Sequence, residues 1–273
     1  MPGRCLRRTV AAGFALLLWL ALGACGPREP LPPLPGPYPL LVQQAPVPFQ
    51  ARGALLVENG DDATSGTMTV EADAAGAVRV RLMARVTGAL LLDVRMSPDR
   101  LLVLDHAQRT YYSGDNTLAY RLAWLRFDMT PAELVSIMAA RVTEARYRAG
   151  DGRLSRSGLT LREGDAWHRI TLSADGRPVS WEKHRGAHMV YRVNYDSYLA
   201  TNGSHTTTWP RRLRVLGDAG ADVPPTRIVM GFSEVHLGAD VTVPMDFAPP
   251  PDWQPGPEPE REPLTVYPPQ PGG

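Results

Sequence analysis

The chain has 273 residues, a formal net charge of +1, 44% hydrophobic residues, 27 prolines and two cysteines. A charge so close to balance excludes the strongly basic footprint of a nucleic-acid binder and any field that steers acidic substrates. Two cysteines, Cys5 and Cys25, are too few for a disulfide-stapled scaffold or a cysteine-built zinc site.

In chain order, the first segment carries Arg4, Arg7 and Arg8, followed by an uncharged apolar run from Thr9 to Leu22. About twenty apolar residues are needed to cross a bilayer as a helix, so this shorter run reads as the core of a signal peptide. It ends in Leu22-Gly23-Ala24-Cys25, which resembles the lipobox of bacterial lipoproteins. That resemblance implies cleavage after Ala24, acylation of Cys25 as the mature N-terminus, and work outside the cytoplasm. The plainer alternative, an ordinary secretory signal, leaves Cys25 as an unpaired thiol, because Cys5 is lost with the signal. Residues 25–48 then form a proline-rich linker. Each proline fixes φ and restrains its predecessor, so the linker favours polyproline II and acts as a semi-rigid spacer.

Residues 49–248 are expected to form one domain, large enough for a single core. Most of it reads as strand. Phe49–Glu58 runs into the turn signal Asn59-Gly60-Asp61-Asp62, and Thr67–Ala72 alternates up to a turn at Ala74-Ala75-Gly76. Along Ala77–Val86, Val78, Val80 and Leu82 point one way and Arg79 and Arg81 the other. Leu90, Leu92, Val94 and Met96 oppose Asp93 and Arg95 in the same manner. Arg100–His106 and Arg109–Ser113 follow. Period-two alternation with regularly spaced turns predicts an antiparallel meander with one apolar face.

The pattern changes between Asn116 and Val142. Leu118, Arg121-Leu122, Leu125 and Phe127 suit a short helix or turn. Thr130 as N-cap, Pro131 at the first position and Glu133 completing a capping box predict a helix ending near Arg141. Its stripe of Leu134, Ile137 and Met138 is expected to pack on the sheet. Strands are predicted again over Glu144–Arg148, Leu159–Glu163, Trp167–Ser173, Val179–His184, His188–Tyr195, Arg211–Leu216 and Arg227–Leu237. Residues 249–273 are again proline-rich, and a disordered or loosely wrapped tail is expected, with Trp253 or Tyr267 able to dock. The fold class is therefore mainly β, about eleven strands with one or two helices.

No catalytic constellation stands out. His184 and His188 are four apart but interrupted by Gly186, against a helical metal pair. His106, His168, His205 and His236 form no motif. Asp105 and His106 point to opposite faces of a strand, and Gly231-Phe232-Ser233-Glu234-Val235 lacks the second glycine of a nucleophile elbow. Asp61 and Asp62 sit in a turn, where aspartate is favoured for backbone reasons. No cofactor, no metal and no catalysis are expected.

The order of elements resembles a family. A lipobox cysteine, a Phe49-x-x-x-Gly53 first strand, a meander and a proline-initiated helix lead to Met189-Val-Tyr191-Arg-Val193-Asn-Tyr195. Trp209-Pro210 through Leu216, Thr226 through Leu237, and Met245-Asp-Phe-Ala-Pro-Pro250 then close the domain. This succession is similar to the LolA/LolB-type lipoprotein carriers and their lipoprotein relatives. The resemblance implies an incomplete antiparallel barrel closed on its concave side by helices, with an apolar cavity for acyl chains. Val80, Leu82, Leu90, Leu92, Val94, Met96, Tyr191, Val193, Met230 and Phe232 are the residues expected to line it; a tightly packed core is the alternative. An apolar pocket binds acyl chains by burying methylenes at ~0.8 kcal/mol each. Val86–Leu92 either corresponds to the family's protruding apolar loop or is the entry to a strand. Gly26 in place of aspartate after the acylated cysteine implies the outer membrane, facing the periplasm. The partners implied are the membrane, through the lipid on Cys25, and acyl chains of lipoproteins or other lipids, bound by a monomer. A non-catalytic scaffold of an envelope complex is the rival reading.

Overall fold

The computed structural model describes residues 41–43, 46–60, 62–118, 120–121, 128–155, 157–201, 204–217, 226–238, 241–243 and 246–256. By contacts the chain divides into Met1–Pro37 and Tyr38–Gly273, and every described residue belongs to the second unit. The signal peptide, Cys25, most of the linker, Asp61, the turn or helix over 122–127, and the tail beyond 256 lie outside the described residues.

Two meanders build one sheet. The first comprises β2 (Phe49–Asn59), β3 (Asp62–Ala72), β4 (Val78–Met83), β5 (Leu90–Met96), β6 (Arg100–Asp105) and β7 (Thr110–Asp115). The second comprises β9 (Arg153–Ser155), β10 (Gly158–Glu163), β11 (Ala166–Leu172), β12 (Pro178–Arg185), β13 (His188–Thr201), β14 (Ser204–Gly217) and β15 (Thr226–Leu237). They join where β15 pairs antiparallel with β2, so the beginning and end of the domain meet in mid-sheet. With β16 (Gln254–Pro255) on the edge of β7, the sheet has 14 strands among the described residues, and within these its outermost strands, β16 and β9, do not pair. A small parallel pair, β1 (Val42–Gln43) with β8 (Val142–Thr143), lies beside it. The architecture is mainly β: an incomplete antiparallel barrel with helices inserted between the meanders.

Between β7 and β9 the described helices are α1 (Pro131–Ala139) and α2 (Glu144–Ala149). At the start of α1, Thr130 accepts from the Glu133 N–H, and the Glu133 carboxylate accepts from the Thr130 N–H, the reciprocal capping box. The helix stops at Ala140, which adopts a left-handed φ of 53°. Residues 144–148, expected as strand, form α2 instead. Thr143 caps it by accepting from the Arg146 N–H, and Glu, Ala and Arg are good helix formers. Alternation over so few residues does not outweigh a cap.

The number of strands exceeds the expected eleven because short pairings at the margins, such as β9 and β16, carry no periodicity. Of the tail, residues 249–256 lie along the sheet edge: Gln254 and Gly256 donate to the carbonyls of Arg109 and Tyr111, and Trp253 packs edge-on against His106 with ring centroids 4.8 Å apart. Gly53 has a physical reason to be glycine. It sits where β2 meets a register shift in β15, and a Cβ there would collide with the Gly231 carbonyl.

The core lies between the inner face of the sheet and α1. Phe49, Trp181, Val193, Leu213 and Ile137 are fully enclosed. Phe49 and Trp209 rings meet at 4.6 Å, and the Tyr195 hydroxyl donates to the Ile137 carbonyl at 3.0 Å, anchoring the last turn of α1.

Candidate functional site

Strand register decides which side chains share the inner face. Val80 pairs with Val70 and Val94, Leu82 with Met68 and Leu92, and Met96 with Val78. Across the sheet, Val193 pairs with Trp181 and Val215, Tyr191 with Lys183, and Met230 with Leu213 and Leu55. Phe232 pairs with Gly53, which itself pairs with Met68. The structure therefore brings Val80, Leu82, Leu92, Val94, Met96, Tyr191, Val193, Met230 and Phe232 onto one face. Leu90 departs from that row. It pairs with Met83 beyond a register shift, opposite a residue of the parity of Arg79 and Arg81.

Sharing a face is not sharing an environment. Tyr191 and Val193 are fully buried, and Val94, Met96, Met230 and Phe232 nearly so. On the first meander Val80 and Leu92 are only half-covered, as are Leu55, Tyr112 and Ile228 beside the core. Leu82 lies over Gly66, where a Cβ would strike it. At the same end of the sheet, the turn between β4 and β5 lifts Val86 into solvent with 95% of its surface exposed. The turn is closed by the Ala84 N–H to the Ala89 carbonyl and the Gly88 N–H to the Ala84 carbonyl.

The second meander buries charge. Lys183 stands on the inner parity of β12 next to Trp181, and its ammonium reaches Glu133 at 2.8 Å and both the Asp128 carboxylate and carbonyl at 2.9 Å. Arg121 and Arg185 also hold Asp128, at 3.2 Å and 2.9 Å. Arg146 pairs with Glu163 through two nitrogens and lies 5.5 Å above the Trp181 ring. Burial pushes the Asp128 carboxyl up, but Lys183, Arg185 and Arg121 outweigh it and hold it below the usual carboxylate range. For Glu163 the same penalty is outweighed by hydrogen bonding from Arg146, with His168 behind it, leaving its pKa at about 2. Tyr191, beneath Lys183, has its phenol pushed well above the usual value, first by burial and then by Glu133.

Sequence reasoning missed this cluster. Its one legible signal is a Lys and a His at inward positions: Lys183 beside Trp181, and His168 between Ala166 and Ile170. Glu133 was legible only as a cap. One of its oxygens serves Thr130 and the other serves Lys183.

Glu133, Glu163 and His168 bring ligand atoms within 4.8 Å of one another, a spacing that suits a metal ion. Their chemistry points elsewhere. Trp181 donates its indole N–H to His168 Nδ1 at 3.1 Å, which leaves the imidazole proton on Nε2. That nitrogen faces Glu163 at 3.2 Å and Glu133 at 3.4 Å. With its proton there it has no free lone pair for a metal, and Lys183 and Arg146 already supply the cations. The arrangement is an ion-pair network bolting the segment 128–146 to β10, β11 and β12.

The remaining histidine candidates are structural. His184 stacks on Trp167 at 4.1 Å and contacts Glu182, and His188 lies on the neighbouring strand paired with Arg185. Asp105 accepts from the Ala107 and Gln108 N–H groups in a turn, while His106 packs on Trp253.

No protein-family model matches the sequence, and no curated protein does. Solved structures align with much of the chain at low identity. A LolA superfamily protein from Nitrosomonas europaea aligns at TM-score 0.45 and 12% identity over 73% of this chain and 89% of its own. An outer membrane lipoprotein-sorting protein domain from Vibrio parahaemolyticus aligns at 0.45 and 6% over 71% and 87%. A DUF1329 family protein from Desulfovibrio piger aligns at 0.45 and 7% over 73% and 89%.

Proposed function

We propose that this chain is a lipid-anchored envelope protein that binds, and passes on, acyl chains of lipoproteins or other lipids on the inner face of its first meander, without catalysis. The observation that carries the reading is the half-covered apolar set Leu55, Val80 and Leu92, which lies beside the buried Leu82. Apolar side chains left partly open on an inner face gain from any methylene chain laid across them. Val86, exposed at the same end, is suited to touch a bilayer surface during transfer. Lipid on Cys25, the spacer after it and Gly26 rather than aspartate favour an outer-membrane tether facing the periplasm. The ten residues proposed from the sequence divide on this reading: Val80 and Leu92 contact cargo, whereas Leu82, Tyr191 and Val193 serve the core.

The test is titration of a fluorescent fatty-acyl probe into the chain carrying Cys25→Ser. Saturable binding that is lost in Leu92→Arg is expected; no saturable binding sinks the carrier reading. The rival, a non-catalytic scaffold of an envelope complex, draws on the complete packing around Trp181, Tyr191 and Val193. It predicts no probe binding and retention of a protein partner instead.

A further inference from the structure

The last described stretch of chain, residues 246–256, crosses to the far edge of the first meander and is fastened there at several points. The Asp246 carbonyl accepts from Arg95, Trp253 packs on His106, and Asp252 pairs with Arg109. Gln254 and Gly256 donate to the Arg109 and Tyr111 carbonyls in the parallel pairing of β16 with β7. Gly256 lies against the Tyr112 ring, and any side chain there would collide with it. The strap contributes the proline, Pro255, that an edge strand needs to refuse further pairing.

Beneath it, β7 has no such protection. Its sequence, Thr110-Tyr111-Tyr112-Ser113-Gly114-Asp115, contains neither lysine nor proline. The opposite edge of the sheet, β9, is limited to three residues and begins with Arg153. The Arg109 and Tyr111 carbonyls used by the strap show that the odd-numbered residues of this stretch turn their backbone groups outward. Antiparallel pairing of β7 with itself, centred on Tyr112, sets Tyr111 opposite Ser113 so that outward groups meet outward groups. The same register brings the side chains of Arg109, in the left-handed turn just before β7, and of Asp115 from the other copy to the two ends of the paired strands. The contact is self-complementary in hydrogen bonding and in charge, as a two-fold interface must be.

We infer that the outer edge of β7 is a self-association surface that the strap 246–256 keeps closed, and that a second copy of this chain pairs with it when the strap lifts. Strap and second copy use the same two carbonyls, so they exclude each other.

The experiment uses the full chain carrying Cys25→Ser, compared with the same chain bearing Gly256→Leu and Trp253→Ala. Sedimentation velocity over a concentration series reads association, and amide exchange reads residues 254 and 256 together with 111 and 113. The parent is expected to remain monomeric. In the variant, exchange at 254 and 256 accelerates, dimer accumulates with concentration, and 111 and 113 become protected as it does. Adding Asp115→Arg, which opposes Arg109 with a like charge, returns the dimer to monomer. Asp252→Lys provides a second release of the strap that introduces no bulk beneath Tyr112. A released strap with monomer at every concentration overturns the inference. So does a dimer indifferent to Asp115→Arg, or unchanged exchange at 254 and 256 in both strap variants.

Discussion

The two meanders place their charges on opposite sides of one sheet. In the first, Arg79, Arg81, Arg95, Glu71 and Asp93 form a ladder on the outer face, with Asp93 held between Arg79 at 2.7 Å and Arg95 at 3.0 Å. Its inner face is left to aliphatic side chains, several of them half-covered. In the second, the inner face itself carries Lys183 and His168; the helical segment supplies Asp128 and Glu133 to meet them and Arg146 to meet Glu163. The difference separates a half pinned by buried ion pairs from a half whose inner face is held by apolar contacts alone. Ion pairs across a buried interface cost desolvation and repay it only when every partner is present, so they fix one arrangement. Apolar contacts, lacking direction, tolerate exchange of one hydrocarbon for another.

The largest effect expected from breaking this comparison is Lys183→Ala, which leaves Glu133 and Asp128 enclosed without their shared cation. A loss of about 3–5 kcal/mol is expected by denaturant titration. Arg81→Ala on the outer ladder, where the arginine is 32% exposed, is expected to cost about 1 kcal/mol or less in the same assay. Trp181→Ala on the sealed face should likewise cost about 3–5 kcal/mol through the cavity it opens.

Acid sharpens the contrast next. Asp128 and Glu163 have folded-state pKa values depressed below those of the unfolded chain. Their contribution is complete above the unfolded carboxylate range near pH ~4 and declines as protonation sets in below it. For Glu163 the loss is complete only near its folded value of about 2. Tm is expected to fall steadily with pH across that window, and less steeply in a Glu163→Gln variant.

Leu92→Arg addresses the open half. Acyl-probe affinity is expected to fall at least about tenfold, equivalent to ~1.4 kcal/mol, with Tm little changed. The smallest effect on stability belongs to Val86→Ser, within about 0.5 kcal/mol by denaturant titration, accompanied by weaker binding of the Cys25→Ser chain to phospholipid vesicles.

Much of the fold was legible because period two is a strong signal. The alternation of Val78, Val80 and Leu82 with Arg79 and Arg81 places both rows correctly. The capping box of α1 was equally plain, since its partners are three residues apart. α2 was misread because six residues hold too little periodicity to compete with the local cap of Thr143. Leu90 left its row because a register shift is a property of two strands and neither one announces it.

By itself, then, the sequence determined what neighbours along the chain decide: the alternating strands and the start of α1. Only the tertiary structure decided which of the apolar residues are sealed and which remain half-open. It alone brought Glu133 to Lys183 across 50 positions, and Asp252 to Arg109 across 143. The reason is physical: an ion pair or a sheet edge is made by chain segments remote in sequence, and its energy depends on burial that no local pattern records.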